Sequence, residues 1–144
     1  MDIRQITPRY SVSPQISPED IAAIKAAGFS AVICNRPDEE VASSISAEVL
    51  AKAAQAEGLA FHILPLTHQT MTPENVKRQR DLIAGAEGPV LAYCASGTRS
   101  SVVWSLGQAG HQPVADILQA TAAAGYDLAG LRPELVAIEG QGGL

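Results

Sequence analysis

The pattern of apolar and polar positions divides the chain into two kinds of segment, which follow one another in turn. Short apolar runs at residues 31–34, 59–64 and 90–94 are typical of buried strands that open into loops. The intervening and following segments, residues 18–27, 46–57, 73–85, 99–109 and 113–124, are predicted to be helices. A last short helix is expected near residues 133–139, before a glycine-rich end.

Capping residues mark the ends of several predicted helices. Ser17-Pro18 and Thr72-Pro73 each combine a hydroxyl residue that can cap a helix with a proline suited to its first turn. Gly58 follows a predicted helix at the position where glycine commonly ends one. These signals place helix boundaries next to the apolar runs, so strands and helices follow one another closely.

This alternation predicts an α/β fold. Strands separated by helices of about ten or more residues need crossover connections, which give a mostly parallel central sheet with helices on both faces. Residues 3–6 and 10–13 are separated by Thr7-Pro8-Arg9 and are predicted to form a hairpin or a bend at a sheet edge. Because no repeat or linker interrupts the pattern, residues 1–144 are expected to form a single domain.

Composition narrows the class of protein. Of 144 residues, 47% are hydrophobic and 17% charged, which is enough apolar material for one core. The net charge is −5 and the basic residues are scattered, so we expect no nucleic-acid partner and no affinity for an anionic membrane. The chain has no run of roughly eighteen apolar residues and its start is charged, so a cytoplasmic location is expected.

The two cysteines are too few for a disulfide framework and are expected to be free thiols. Cys34 lies in an apolar run with no arginine at the right spacing after it, so we expect a buried structural thiol, with a redox role beside Cys94 as the alternative. Cys94 stands at the end of a predicted strand, where parallel sheets bind ligands. The histidines and cysteines lack metal-ligand spacing, so no metal and no cofactor are expected.

The loop after Cys94 has the residues of an anion site. Ala95, Ser96, Gly97 and Thr98 are small, so their backbone N–H groups can point inward, with Gly97 free to take a positive φ. The helix that follows adds its unpaired N–H groups and the positive end of its dipole. These four residues are therefore the candidate phosphate-binding residues, together with the arginine that follows them.

Arg99 and Ser100 complete the candidate catalytic group. The planar fork of Arg99 suits two oxygens of a phosphate-like group, and the same positive field favours the thiolate form of Cys94. A thiolate at the floor of such a site can attack the phosphorus of a bound phosphate ester, giving a cysteinyl-phosphate that water hydrolyses. Ser100 is expected either to donate a hydrogen bond to the sulfur or to cap the helix.

The loop Cys94-Ala95-Ser96-Gly97-Thr98-Arg99-Ser100 resembles the Cys-five-residues-Arg-Ser/Thr signature of protein tyrosine and dual-specificity phosphatases. More specifically, the chain resembles the bacterial beta-lactamase hydrolase-like phosphatase family. The resemblance covers roughly the first three quarters of the chain. Outside the loop it is carried by Ser13-Pro14-Gln15-Ile16, Asn35-Arg36-Pro37-Asp38-Glu39-Glu40 and Pro65-Leu66-Thr67.

This resemblance implies a dual-specificity-phosphatase-like fold and phosphatase activity on aryl phosphates, phosphotyrosine included. The expected partner is a phosphorylated small molecule or a phosphoprotein. The resembled enzymes usually carry histidine before the nucleophile, where this chain has Tyr93, and an aspartate general acid about thirty residues before the cysteine. Residues 65–71 contain no Asp or Glu, so His68 is the leading candidate for the general acid, with Glu74 and Asp38 as alternatives.

Two other functions fit the same loop. In a sulfurtransferase, Cys94 would carry a persulfide, and members of the resembled family have also been labelled sulfur transferases. In a non-catalytic phosphate-binding module, the loop would hold a phosphate without turnover, consistent with the missing aspartate. Arg36 and Asp38 are expected to form either an ion pair within their loop or part of the pocket rim.

Overall fold

One five-stranded sheet forms the centre of the molecule, in a computed structural model that describes all 144 residues. The strands lie in the order β1-β2-β5-β3-β4, and only β1 runs antiparallel, as a hairpin with β2. The predicted edge hairpin and mostly parallel sheet are therefore confirmed. The strand bounds are β1 Arg4–Thr7, β2 Tyr10–Ser13, β3 Ala31–Cys34, β4 Ala60–Ile63 and β5 Val90–Tyr93.

Six α-helices cover the two faces of this sheet, which confirms the predicted α/β architecture. Two of them, α1 and α2, pack on one face, and the other four pack on the opposite face. No helix combines the length and the apolar character needed to cross a bilayer. The helix bounds are α1 Ile21–Ala26, α2 Ala47–Ala56, α3 Pro73–Ala84, α4 Thr98–Gln108, α5 Val114–Ala123 and α6 Arg132–Gly140.

Side-chain caps fix where α2 and α3 begin. The hydroxyl of Ser46 accepts a hydrogen bond from the Val49 N–H at 3.4 Å, and the hydroxyl of Thr72 accepts one from the Asn75 N–H at 3.3 Å. The helix predicted over residues 18–27 is shorter than expected, because its first turn, Pro18–Asp20, is a 3-10 turn that precedes α1.

Alternation along the strands divides the core into two clusters. Ile33 of β3 faces Ile117 of α5 on one side of the sheet, while Val32 faces Leu50 of α2 on the other. All four side chains are fully buried. Burying an aliphatic side chain of this size contributes about 1.5–3 kcal/mol, so both helical layers hold the central strands firmly in place.

The strand order sets which loops meet. β5 lies between β2 and β3, all three parallel, so their carboxyl ends open on the same edge of the sheet. Cys34 pairs in register with Tyr93, and the N–H of Asn35 donates to the Tyr93 carbonyl at 2.8 Å. The segments that follow β3 and β5 therefore run side by side at this edge.

Candidate active site

Cys94 lies directly after β5, at the centre of the carboxyl edge of the sheet, and only 1% of its surface is exposed. The chain turns at Gly97, just before α4, with φ of +95°, a left-handed conformation that glycine adopts without strain. This turn lets the backbone N–H of Gly97 donate to the Cys94 sulfur at 3.1 Å. We call residues 94–99 the cradle loop.

Other amides of the cradle loop and the first turn of α4 have no acceptor in the protein. The backbone N–H groups of Ala95, Ser96, Arg99 and Ser100 donate to no protein atom. The amide of Thr98 is satisfied locally, since it donates to the Ser96 hydroxyl at 3.3 Å. Unpaired amides around a buried sulfur are the arrangement that a tetrahedral anion requires.

Arg99 has five N–H donors, three of which have partners. Its Nη1 donates to Oε2 of Glu40 and to the Leu66 carbonyl, both at 2.9 Å, and its Nη2 donates to Oε1 of Glu40 at 2.7 Å. The two donors that remain, on Nε and Nη2, share one edge of the guanidinium. That edge has the geometry to bind two oxygens of a phosphate-like group at once.

The pair between Arg99 and Glu40 keeps both groups charged. Hydrogen bonding to Arg99 is the main reason that the pKa of the Glu40 carboxyl is lowered, and the positive charges of Arg99 and Arg36 add to it. Hydrogen bonding to Glu40 in turn raises the pKa of Arg99, with further contributions from the charges of Glu40 and Cys94. The arginine therefore faces the sulfur as a permanent cation held from behind by a carboxylate.

The acidic run after β3 has different partners from those expected. Arg36 pairs with Glu40, at 3.3 Å between Nε and Oε1, so the ion pair between Arg36 and Asp38, one of the two expected arrangements, is absent. The carboxylate of Asp38 instead accepts a hydrogen bond from the Ala47 N–H at 2.9 Å, at the start of α2. The helix amide draws Asp38 away from Arg36, which leaves Glu40 to bind both arginines.

Ser100 belongs to a buried hydrogen-bond network under the cradle loop. Its hydroxyl donates to Oδ1 of Asn35 at 2.8 Å, so in this structure it neither donates to the sulfur nor caps α4. Gln79 of α3 exchanges hydrogen bonds with Asn35, and the Tyr10 hydroxyl donates to the Ser100 carbonyl at 2.7 Å. All four residues are buried, so the network ties three elements to the first turn of α4.

The candidate general acids lie at different places around the site. His68 is exposed on the loop before α3, two residues after Leu66, whose carbonyl binds Arg99. Glu74 is exposed on the first turn of α3. Neither side chain makes a hydrogen bond to the protein, whereas Asp38 is held at α2. The loop that carries His68 contacts the guanidinium through Leu66, and the loop that carries Asp38 contacts it through Glu40.

Cys34 is buried on the opposite face of the sheet from the network described above. It packs with Tyr93 against α1 and α2, and its thiol donates to the Arg36 carbonyl at 3.4 Å. Burial raises the pKa of the Cys34 thiol, and the nearby charges of Asp38 and Cys94 raise it further. Cys34 is therefore more difficult to deprotonate than an ordinary cysteine, which makes it a poor candidate for a thiolate nucleophile.

Comparison with the models of protein families identifies the family to which this chain belongs. Residues 2–111 match the model of the phosphatase-like domain of the beta-lactamase hydrolase-like proteins. The chain belongs to this family. A Beta-lactamase hydrolase-like protein of Agrobacterium fabrum is 31% identical over 105 residues, which is 73% of this chain and 24% of that protein. The chain thus spans about a quarter of the length of the curated relatives it matches.

Solved structures support a phosphatase for this family member. A presumed phosphatase from Neisseria meningitidis has a TM-score of 0.83 and 35% identity, covering 94% of this chain and 96% of that one. TpbA of P. aeruginosa, solved as a cysteine-to-serine variant in complex with pTyr, has a TM-score of 0.57 and 18% identity, covering 94% and 90%. At that identity the second likeness shows the fold alone, which is that of the tyrosine-phosphatase-like proteins.

Several contributors to the site were not predicted from the sequence, among them Glu40, Gln79 and Tyr126. In the sequence Glu40 is only one residue of the segment 35–40 that carries the family resemblance, although its place after a strand end is a usable signal. Gln79 stands three residues after Val76 on the buried side of α3, and a polar residue at a core position indicates a buried network. Tyr126, which donates to the Ser96 carbonyl at 2.9 Å, lies far along the chain and gave no local signal.

Proposed function

We propose that this family member hydrolyses phosphate monoesters, with Cys94 as the nucleophile and the cradle loop and Arg99 as the phosphate site. The observation that carries the proposal is the hydrogen bond from the Gly97 N–H to the Cys94 sulfur at 3.1 Å. It indicates that the loop amides surround the sulfur, where a phosphoryl group would have to lie for attack. The free edge of Arg99 supports the same placement.

In the first step the Cys94 thiolate attacks phosphorus, so an S–P bond forms as the bond from phosphorus to the leaving oxygen breaks. The leaving group departs as a phenolate or, when protonated, as a phenol. Water then attacks the cysteinyl-phosphate, the S–P bond breaks, and phosphate and thiolate are released. The cradle amides and Arg99 stabilise the charge that spreads over the equatorial oxygens. Ser100 would assist sulfur departure only after its hydroxyl left Asn35.

His68 is our proposed general acid, because its loop touches Arg99 through Leu66 and an imidazole is a side chain that can donate a proton near neutral pH. Glu74 is the alternative. Aryl phosphates depend least on this proton, since a phenolate leaves more easily than an alkoxide. We therefore propose aryl phosphates, phosphotyrosine-like groups included, as the preferred substrates, carried by a small molecule or a protein.

The decisive experiment compares wild type, Cys94→Ser and Cys34→Ser for phosphate release from p-nitrophenyl phosphate. The two variants make the same one-atom change at two buried thiols, so Cys34→Ser is a matched control for stability. We expect Cys94→Ser to lose at least about a thousandfold in kcat and Cys34→Ser to keep wild-type turnover. Wild-type turnover no faster than that of Cys94→Ser would overturn the proposal.

The same preparations separate the other two functions. Thiocyanate formed from thiosulfate and cyanide, with a persulfide on Cys94 in the mass spectrum, would favour a sulfurtransferase. Phosphate bound by the wild type with no turnover over hours would indicate a binding module. For the acid, pH–rate profiles of His68→Ala and Glu74→Gln are compared on aryl and alkyl phosphates. Loss of the alkaline limb in His68→Ala, largest on the alkyl substrate, is the expected result.

A further inference from the structure

Tyr126 contacts the cradle loop from its outer side. It follows α5, beyond residues 2–111 that match the family model, and its hydroxyl donates to the Ser96 carbonyl at 2.9 Å. A side chain built at Gly97 would collide with this same hydroxyl. A residue outside the matched region is thus in direct contact with the residues around the nucleophile.

The Ser96 carbonyl and the Gly97 N–H belong to one planar peptide group, and they point in opposite directions. The carbonyl end accepts from the Tyr126 hydroxyl, and the N–H end donates to the Cys94 sulfur at 3.1 Å. One peptide group is therefore held at both ends. Turning it over would break both hydrogen bonds together.

The loop backbone offers little resistance to such a turn. Turning the peptide by half a rotation would take φ of Gly97 from +95° to the negative side, which glycine occupies about as readily. The Gly97 conformation that the cradle needs is thus permitted by the residue but not enforced by it. The two contacts at the ends of this peptide, from the Tyr126 hydroxyl to the Ser96 carbonyl and from the Gly97 N–H to the Cys94 sulfur, favour the observed orientation.

Tyr126 is itself fixed in place and keeps its proton. The Arg4 guanidinium lies 5.9 Å from the centre of the Tyr126 ring and donates to the Ala124 carbonyl at 3.1 Å. Burial raises the pKa of the Tyr126 phenol, the negative charge of Cys94 raises it further, and Arg4 opposes the rise. The hydroxyl therefore remains a donor throughout the pH range in which a cysteine thiolate works.

We propose that Tyr126 is a positioning residue that keeps the Ser96–Gly97 peptide turned with its N–H toward Cys94. Without the hydroxyl, the peptide turns over for part of the time and the sulfur loses that donor. The inference rests on the proposed function in one respect, that Cys94 is the reactive thiol of the site. The contact of Tyr126 with Ser96 links the C-terminal part of the chain to the cradle loop.

The test is Tyr126→Phe, which removes only the hydroxyl. The readout is the pH midpoint for alkylation of Cys94 by iodoacetamide, followed at that residue by mass spectrometry. Losing one donor to a charged sulfur should move the midpoint up by about half a pH unit to one unit. The other titratable or charged groups that face Cys94 are Arg99, Tyr10 and Cys34, and the substitution leaves them in place.

Asp127→Asn is the matched control, since it alters the same turn at a side chain that accepts from the Ala129 N–H and makes no hydrogen bond to the cradle loop. Its midpoint should equal that of wild type. A Tyr126→Phe midpoint within about 0.2 units of the control would overturn the proposal, even if its thermal midpoint fell. Because alkylation needs no turnover, a wild type inactive on aryl phosphates would refute the proposed function while the midpoint shift still decided the role of Tyr126.

Discussion

The carboxyl ends of β3 and β5 are neighbours in the sheet, each with a cysteine, yet they differ in what they contribute. The segment after β5 holds the sulfur, the cradle amides and the Arg99 guanidinium. The segment after β3 holds Glu40, which binds Arg99, and Asn35, which binds Ser100. One strand end provides the proposed reacting groups, and the other holds them in place.

A one-residue offset explains why the two cysteines differ. Cys34 is the last residue of β3 and pairs with Tyr93, while Cys94 is one residue beyond that pair, next to Asn35. Successive residues of a strand point to opposite faces, so Cys34 points into the layer of α1 and α2. Cys94 falls where the chain leaves the sheet and turns toward α4. Strand register, more than residue type, decides which thiol lies in the cradle loop.

The largest effect is expected at the β5 end. In Arg99→Lys the charge remains, but the fork that binds Glu40 on one edge and leaves the other free is lost. We expect kcat/KM on p-nitrophenyl phosphate to fall about 10²- to 10³-fold. Arg78→Lys, at an exposed position on α3, is the control and should match wild type. A loss below tenfold in Arg99→Lys would mean that charge alone suffices.

At the β3 end, Asn35→Ala should act mainly on stability. The change leaves Gln79 and the Ser100 hydroxyl without their buried partner, which lowers the free energy of unfolding by about 2–3 kcal/mol. Urea unfolding followed by circular dichroism measures it. Asn75→Ala, which removes a hydrogen bond to the Thr70 carbonyl at a less buried site, should cost clearly less. An equal loss of unfolding free energy in Asn35→Ala and Asn75→Ala would contradict a special contribution of the buried network to stability.

Glu40→Gln tests whether Arg99 needs support from β3. We expect kcat to fall about three- to tenfold because the guanidinium loses its paired carboxylate, with little change for Glu39→Gln next to it. Since the pKa of Glu40 is lowered, the pair persists as pH falls through the ordinary carboxyl range and is lost only below the lowered pKa. The variant should therefore differ from wild type at neutral pH and converge with it in strong acid. A ratio of the two kcat values that stays constant with pH would contradict this role of Glu40.

The lowest reactivity toward an alkylating reagent is expected at the second cysteine, Cys34. Burial raises the pKa of the Cys34 thiol, so iodoacetamide at pH 7 should label Cys94 at least about tenfold faster. Peptide mapping after timed quenching gives both rates from one sample. Comparable labelling of the two residues would erase the distinction between the two strand ends.

The elements and the reactive loop could be predicted from sequence because their signals are local. The cap at Thr72, the apolar runs and the spacing from Cys94 to Arg99 all act within a few residues. The support around the loop could not be predicted, because it depends on strand order. Glu40 meets Arg99 from 59 residues away, and only the pairing of β3 with β5 brings them together.

Ser100 illustrates the same limit within the loop itself. Its position after Arg99 suggested a role at the sulfur or a helix cap, while its hydroxyl in fact binds Asn35 of a neighbouring strand. Tyr126 is a more distant case, since it reaches Ser96 across 30 residues of chain. Local patterns identify the groups that we propose react, and long-range topology identifies the groups that hold them.

The insertion of β5 between β2 and β3 also has a consequence for how the protein is made. A growing chain that has emerged only as far as β4 contains two separate strand pairs with open edges facing each other. The last strand to be synthesised closes that gap, and the contacts it needs span most of the chain. Assembly of the sheet and formation of the cradle loop are then the same late event, because Cys94 itself is synthesised directly after β5.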